Sequence, residues 1–451
     1  MIPEFSPVIG RVHHDIYHVY TVDVHSVAAV DQLRALCRGD FAAEHPLACR
    51  IAAETSRPPV LFFATLLHDI GKDLGGKNHA VRGAELSRDI LARLGLPEND
   101  IAEVAHLVEK HLRMYHVATR RDLDDPMTLE EFCADVHGRE GLRELYLLTL
   151  VDVTTTSPGS MTSWKRRMLD ELYVSADRFF VGAPTRGPGR SEAAKAEVRA
   201  LWPSGESTAF LEHFLSALPE RYLYANESSA IIEHVRFAEK AQASSPSIKV
   251  LSTSDPYVEL CVVADDRPGL LAMITAALAH AKFKVFSAQI YSWVGTDGRS
   301  RSLDMFWVRS GREADATVRL VPSLERDLGM VIAGTLDPEE LATGTRGQAR
   351  WSVRPTPPVA TKVNVDNRSA THHTVIEVIT RDRRALLFWL SSTLQHAGLS
   401  ISFAKINTEG ERVADVFYVT DESGNKLQDE ARIDELTQRI MTTISRLDSG
   451  G

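Results

Sequence analysis

The chain has 451 residues, enough for two to four domains, with 44% hydrophobic and 25% charged residues, the balance of a soluble globular protein. A formal net charge of −10 argues against a broad nucleic-acid footprint, and no apolar run approaches the ~20 residues needed to span a bilayer. The opening Met1-Ile2-Pro3-Glu4-Phe5-Ser6-Pro7 lacks the basic and apolar regions of a signal peptide, and Cys37, Cys49, Cys133 and Cys261 are too scattered to form a metal-type pair. The expectation is a cytoplasmic protein with reduced thiols that binds neither nucleic acid nor membrane.

From about residue 18 to residue 245 the pattern is helical. Apolar residues recur at three- and four-residue spacing over 27–37, 59–69, 79–94, 100–113, 128–137, 139–155 and 162–181. Pro97 and Pro126 stand at helix starts, and Gly95 follows a helix end. Gly182 to Arg190 reads as a loop or linker, with further helices over 191–202 and 206–217, and Ala243 to Ser247 closes the helical part.

After residue 250 the texture changes. Tyr257 to Val263 predicts a strand, followed by a turn and a helix from Leu270 to about Ala281. Strands are expected at 285–293 and 302–308 around the hairpin turn Gly295-Thr296-Asp297-Gly298, then a helix over 313–328. The block repeats: a strand at 374–379, a helix over Leu386 to Ala397, strands at 399–407 and 412–420, and a last helix over 428–446. Asp266-Arg267-Pro268-Gly269-Leu270-Leu271 aligns with Asp382-Arg383-Arg384-Ala385-Leu386-Leu387, so a duplicated β-α-β-β-α-β unit of ferredoxin-like topology is inferred.

The chemistry concentrates in Leu66-Leu67-His68-Asp69-Ile70-Gly71-Lys72. An imidazole and a carboxylate on an apolar segment cannot both face a dry core unpaired, and convergence on a cation resolves the conflict. Alone the pair is a weak signal, since a capping or surface role fits as well. It has company: His25 and His79, His111 and Asp152 lie on other segments.

The segments Ile2-Pro3-Glu4-Phe5, Gly10-Arg11-Val12, His14-Asp15 and Tyr17 through His25-Ser26 resemble the bifunctional uridylyltransferase/uridylyl-removing enzymes of nitrogen-regulatory protein PII. The run 68–72, the tract Arg120-Arg121-Asp122-Leu123, Val363 to Asn367 and Gly410 to Val419 resemble the same family. The resemblance implies an all-α HD-type metal phosphohydrolase domain followed by two α+β ferredoxin-like ACT domains. Boundaries follow as 1–182 for the first, 183–250 for a helical extension and linker, 251–345 for one ACT domain, 346–371 for a linker and leading strand, and 372–451 for the second. The family's nucleotidyltransferase domain, with its glycine-serine turn and Asp-x-Asp strand, has no counterpart here; Asp122-Leu123-Asp124 has the carboxylate spacing but reads as a solvated loop. This chain alone is therefore expected not to transfer UMP, whether it is a fragment, the product of a misplaced start or a true short form.

By that resemblance His25, His68, Asp69 and Asp152 hold Mg2+ or Mn2+. Two carboxylates offset much of a dication's charge while neutral imidazoles leave it Lewis-acidic, which acidifies a bound water toward a pKa of ~7. His79 and His111 match the extra ligands of two-metal HD enzymes, or else only hydrogen-bond phosphate or water. Lys72 is either a phosphate donor or a solvated lysine, and Asp73 is assigned to orienting a ligand or moving a proton. His106, five residues from His111, falls off its face and reads as surface or packing.

In each repeat a strand ends at an acidic residue and a tight turn opens a helix, where backbone N–H groups favour an anion such as an amino-acid carboxylate. A plain helix cap is the bland alternative for either turn. The ligand residues expected are Asp266, Arg267, Gly269 and Leu270 in the first repeat and Asp382, Arg383 and Leu386 in the second. Pro268 and Gly269 suit the first turn, whereas Ala385 tolerates positive φ less well by about 1 kcal/mol, so the first turn is expected to be the stronger site. By resemblance the effector is glutamine and the substrate is uridylylated PII, from which UMP is removed. An amino-acid-regulated hydrolase of a small nucleotide, or a non-catalytic glutamine-sensing partner of a separate transferase, are the alternatives.

Overall fold

The computed structural model describes residues 2–11, 20–74, 78–123, 125–157, 160–161, 163–182, 188–241, 246–254, 257–309, 314–344, 359–409 and 412–449. Segment 12–19, which carries part of the family resemblance, lies outside them, as do Gly75 to Lys77, Asp124, residues 183–187 and 242–245, and Gly410-Glu411. The chain divides into two compact units, Met1–Gly187 and Pro188–Gly451. Among the described residues no helix is long and apolar enough to cross a membrane.

The first unit is all-α. A 3-10 turn at Pro3–Val8 precedes α1 (Val22–Arg38), α2 (Pro46–Glu54) and α3 (Pro58–Leu67); a second 3-10 turn, Ile70–Leu74, leads to α4 (His79–Leu94). Then come α5 (Glu98–Lys110), α6 (Arg113–Arg120), α7 (Pro126–Ala134), α8 (Gly138–Thr156) and α9 (Ser163–Phe180). Local chemistry sets these boundaries. Proline stands in the first turn of α2, α3 and α7, where its missing N–H costs no bond. Gly39 and Gly95 end α1 and α4 in the left-handed conformation, each with its N–H returned to a carbonyl of the last turn. Helix α8 is buried from Gly141 to Val151 except at Arg143, which makes it the axis against which α1, α3, α5 and α9 pack.

Between α3, α5 and α8 lies a charge cluster whose carboxylates are buried and which has a pH signature of its own. Arg57 Nη2 donates to Glu144 Oε2 at 2.8 Å and stands 3.8 Å from Glu103 Oε1, while His137 Nδ1 is 2.9 Å from Glu103 Oε2. Burial pushes the Glu144 carboxyl up to about 8, with Glu103 and Glu140 adding to the rise and Arg57 opposing it. The folded protein then keeps a proton that the unfolded chain releases from pH ~4.3 upward, so stability is lost as pH rises toward 8. Glu144→Gln removes that titration. Its Tm relative to wild type is expected to climb between pH 5 and pH 8 in thermal melts; a difference independent of pH would show that Glu144 ionises normally.

The second unit opens with α10 (Pro188–Leu201), α11 (Ala209–Ala217), α12 (Glu220–Ala225) and α13 (Ser228–Lys240). The first repeat is β1 (Ser247–Ser254), β2 (Tyr257–Asp265), α14 (Leu270–His280), β3 (Lys284–Val294), β4 (Ser300–Arg309), α15 (Ala314–Val318) and α16 (Val321–Ile332), followed by α17 (Pro338–Thr343). The second is β5 (Lys362–Asp366), β6 (Thr374–Arg381), α18 (Leu386–His396), β7 (Ser400–Lys405), the short β8 (Thr408–Glu409), β9 (Arg412–Thr420) and α19 (Glu430–Ser449). The sheets are antiparallel and open, with orders β1-β2-β4-β3 and β5-β6-β9-β7. The fold class is thus an all-α unit followed by two ferredoxin-like α+β repeats.

Three expectations need correction. The order within each repeat is β-β-α-β-β-α, because the strand beside β2 or β6 precedes it: Ile248 pairs with Val262, and Val365 with Ile376. After α16 the described residues form α17, with no closing strand among them. Strand β1 went unread because its Lys249, Ser252, Thr253 and Ser254 give it a polar edge texture. The single helix expected over 313–328 is two, since Pro322 in the first turn of α16 starts a new helix.

The two repeats share one hydrophobic core, running from Ile248 through Leu278 and Leu390 to Ile444. Helices α14 and α18 lie against each other, with Thr275 Oγ1 3.4 Å from Ser391 Oγ. Edge strands β3 and β7 adjoin, and Thr408 Oγ1 donates to the carbonyl of Val285 at 2.9 Å. The helices before β1 cover the other face of the first sheet, where Tyr222 meets Tyr291 and Phe214 meets Trp293.

Candidate metal centre

Helix α3 is an apolar rod that ends at His68, its C-cap residue, and the chain tightens at once into the 3-10 turn that begins at Ile70. That change of helical geometry lets the adjacent His68 and Asp69 both turn inward, and both are buried. Helix α5 ends the same way: His111 is its C-cap residue and is buried. His25 comes from the first turn of α1, Asp152 from the last turn of α8, and His79 is the first residue of α4.

These six residues form two trios. In one, His25 Nε2 stands 3.2 Å from His68 Nε2 and 3.0 Å from Asp152 Oδ1, with 3.5 Å between His68 Nε2 and Asp152 Oδ1. In the other, His79 Nε2 is 3.4 Å from His111 Nε2, and Asp69 Oδ1 is 3.5 and 3.9 Å from these nitrogens. The other Asp69 oxygen, Oδ2, faces the first trio, 3.4 Å from His68 Nε2 and 3.8 Å from His25 Nε2. Asp69 therefore stands between the trios with one oxygen toward each.

The donor chemistry fits divalent cations. His68 Nδ1 lies 2.8 Å from the carbonyl of Thr65, His111 Nδ1 2.7 Å from that of Val108, and His25 Nδ1 3.3 Å from that of Thr155. A carbonyl only accepts, so these contacts assign the proton to Nδ1 and direct the Nε2 lone pairs inward. Lone pairs facing at 3.2 Å repel unless a cation or proton sits between them. Ligands at about 2.0–2.1 Å from one ion stand about 3.0–3.4 Å apart, the spacing seen here. His25, His68 and Asp152 on one side, and Asp69, His79 and His111 on the other, are groups able to hold an ion.

The electrostatics agree. Burial alone would lower the His68 pKa, but Asp69 and Asp152 outweigh it and raise it to about 10. Burial also opposes ionisation of the two carboxyls, yet Lys72 and His68 hold Asp69, and His68 and His25 hold Asp152, well below the usual range. Burial and the neighbouring His68 lower His111 to about 4, which keeps it a neutral ligand. A site that binds a proton this firmly at His68 has the negative potential that draws in a dication.

The remaining predicted residues fall as follows. Lys72 is buried and its Nζ lies 2.6 Å from Asp69 Oδ2. Asp73 belongs to neither trio; its carboxylate is 4.0 Å from Arg82. His106 stacks on His137 at 3.7 Å and meets the carbonyl of Asp135 at 2.9 Å. Arg267 donates to the carbonyl of Ile332 at 3.1 Å, and Arg383 clasps Asp448 at 2.7 and 2.8 Å, so the two arginines tie their turns to the ends of α16 and α19. Leu270 and Leu386 anchor the turns in the core. Asp266 accepts from Ser300 Oγ at 3.3 Å, and Asp382 pairs with Lys284 of the other repeat at 2.5 Å.

The carbonyls of Thr65 and Val108 escaped sequence reading, although the signal is local: each lies three residues before a histidine that closes a helix. Arg82, which donates to the carbonyl of Gly71 at 2.6 Å, was also missed.

Residues 24–137 match the family model described as HD domain, and residues 362–447 match that of an ACR9-like, ACT-like domain. Along nearly its whole length the chain is similar to proteins named bifunctional uridylyltransferase/uridylyl-removing enzyme. The protein of Erythrobacter litoralis is 34% identical over 456 residues, covering 98% of this chain and 48% of the relative. That of Azospirillum brasilense is 32% identical over 457 residues, with 98% and 48% covered, and that of Phenylobacterium zucineum 31% over 456, with 99% and 47%. The chain spans about half the length of the curated relatives it matches.

Proposed function

Because the chain matches the bifunctional uridylyltransferase/uridylyl-removing enzyme family over nearly all its residues, we propose that its first unit is a metal-dependent phosphodiesterase that removes UMP from uridylylated PII in the cytoplasm. The observation that carries this reading is Asp69, one oxygen toward each of two histidine-bearing trios. His25, His68 and Asp152 would hold one Mg2+ or Mn2+ and His79 and His111 a second, with Asp69 a ligand open to either. When bound, such ions supply Lewis acidity toward phosphoryl oxygens and acidify water.

The chain's own residues do the rest. The backbone carbonyls behind His25, His68 and His111 fix the imidazoles in one tautomer, so no reorganisation is needed as charge develops. Lys72 balances the Asp69 carboxylate in the absence of a cation and, once displaced from it, is a point charge for a phosphoryl oxygen. Asp73 lies farther out, beside Arg82, and serves to hold that arginine near the turn. The paired repeats respond to glutamine and set the hydrolytic rate.

Incubation of uridylylated PII with the chain and Mn2+ or Mg2+ should release UMP, read by mass spectrometry of PII, and EDTA should stop the release. An untouched PII adduct beside hydrolysis of a free small nucleotide would transfer the activity to that alternative substrate. No hydrolysis of either by the metal-loaded protein would overturn the catalytic reading.

A further inference from the structure

Three of the helices that carry the metal centre are joined to one another at a second point, remote from the two trios. Arg57 is the N-cap residue of α3, and His68 is the C-cap residue of the same helix, about 16 Å farther along its axis. Glu103 of α5 stands eight residues before His111, and Glu144 of α8 stands eight residues before Asp152, an axial distance of about 12 Å in each case. The Arg57 guanidinium reaches both carboxylates: Nη2 donates to Glu144 Oε2 at 2.8 Å and lies 3.8 Å from Glu103 Oε1. One side chain thus ties α3 to α5 and to α8.

Both carboxylates are held in place. Glu144 is fully buried, and among the described residues its other oxygen meets no donor, so the bond from Arg57 is what fixes it. Glu103 receives His137, with Nδ1 at 2.9 Å from Oε2, and packs against Gly141 of α8, where an added Cβ would stand 3.1 Å from Oε1. The neighbouring charges pair elsewhere: Glu140 meets Arg143 at 3.0 Å and the N–H of Ser56 at 2.7 Å, while Lys110 and Arg113 meet Asp135. Along its length α3 makes apolar contacts, through Val60, Leu61, Ala64 and Leu67. Apolar contact is non-directional and sets the axial position of a helix less sharply than a charge-assisted hydrogen bond does. Metal ligands tolerate errors of only about 0.5 Å, so a helix that ends in a ligand needs that position set.

We propose that Arg57 is a positioning residue for the metal centre: by bonding Glu144 and facing Glu103 it fixes the axial register of α3 against α5 and α8, and with it the separations at which His68 and Asp69 meet His111 and Asp152. This rests on the metal reading of the two trios given above. Arg57 stands a helix length from the centre and acts through the helix that ends at His68. The hydrogen bond, more than a full ion pair, carries the register. Burial pushes the Glu144 carboxyl up to about 8 against the pull of Arg57, so near pH 7 it meets the guanidinium mainly as the neutral acid. Glutamine, with the same length and an acceptor oxygen, can replace it there, and alanine cannot.

Titration of the full chain with Mn2+ at pH 7 in a calorimeter tests this, alongside UMP release and thermal melts. Arg57→Met keeps the apolar stem and removes the donors. It should weaken Mn2+ binding about tenfold or more, and UMP release should fall at limiting Mn2+ and return to within about twofold of wild type at saturating Mn2+. Glu144→Ala should do the same, and it keeps the test open should Arg57→Met fail to fold. Glu144→Gln should bind Mn2+ as the wild type does. Arg139→Ala is the control for stability alone: it breaks the 2.7 Å ion pair between Arg139 of α8 and Asp177 of α9 and should leave Mn2+ affinity unchanged. Wild-type Mn2+ affinity in a folded Arg57→Met or Glu144→Ala protein would overturn the positioning role, as would an equal loss of affinity in Arg139→Ala. Turnover that saturating Mn2+ fails to restore would overturn it too, by placing Arg57 in the reaction itself. A wild-type chain that binds Mn2+ but releases no UMP would overturn the phosphodiesterase reading and leave the role of Arg57 to be decided by the calorimetry. A wild-type chain that binds no Mn2+ would end both.

Discussion

Asp69→Asn should lower hydrolysis by at least about a thousandfold, or roughly 4 kcal/mol of transition-state stabilisation, and should empty both metal positions. The magnitude follows from position rather than from residue type. Asp152 approaches one trio, whereas Asp69 presents Oδ2 to His25 and His68 and Oδ1 to His79 and His111. An amide in its place offers one weak acceptor and turns an N–H toward lone pairs on the other side. It also removes the negative charge that balances Lys72 at 2.6 Å, so the ammonium is left buried without its counter-charge. Asparagine is chosen over alanine because it keeps the volume. Mass-spectrometric metal content, thermal melting and UMP release on the same preparation separate the effects. Full activity in a folded Asp69→Asn protein would remove the shared-carboxylate centre; intact metal content with lost activity would restrict Asp69 to orienting the reacting groups.

Much of this centre is legible in the sequence, because its residues sit where helices begin and end. His68, Asp69, His79 and His111 all lie within a residue or two of such an end, and the proline of α3 and Gly95 of α4 mark the opposite ends of their helices. What cannot be read is the division of labour between the two oxygens of Asp69, since it depends on α1, α4, α5 and α8 arriving from different directions. The repeats show the same limit. Buried strands such as Tyr257–Asp265 announce themselves, but β1 is half polar, and the circular shift of strand order depends on which neighbour an edge accepts. For the ligand turns, local reasoning compares Gly269 with Ala385 and favours the first. What faces each turn is not local: Gln395 lies against Gly269 and Ala279 lines a cavity beside Ala385, and neither residue carries a turn signal.

Gly71→Ala should damage the same centre from behind, without touching a ligand. A Cβ built on Gly71 would lie 2.1 Å from the carbonyl oxygen of His79 and 2.6 Å from the N of Gly83. Both are backbone atoms of α4, so no side-chain rotation relieves the overlap; the 3-10 turn and α4 must separate. His79 is the first residue of that helix, and Arg82, which donates to the carbonyl of Gly71 at 2.6 and 3.1 Å, is one turn farther on. Separation therefore withdraws His79 from Asp69 Oδ1 and His111, while His25, His68 and Asp152 stand on α1, α3 and α8 and keep their places. Overpacking of this kind costs about 1–3 kcal/mol of stability. The expected outcome is a protein of lower Tm that binds one metal ion where the wild type binds two, with UMP release reduced about a hundredfold or more. The contrast with Asp69→Asn, which should lose both ions, makes the pair of variants diagnostic. If Gly71→Ala retained two ions and full turnover, the close approach of the turn to α4 would have no part in forming the second trio, and His79 would have to be held in place by other contacts.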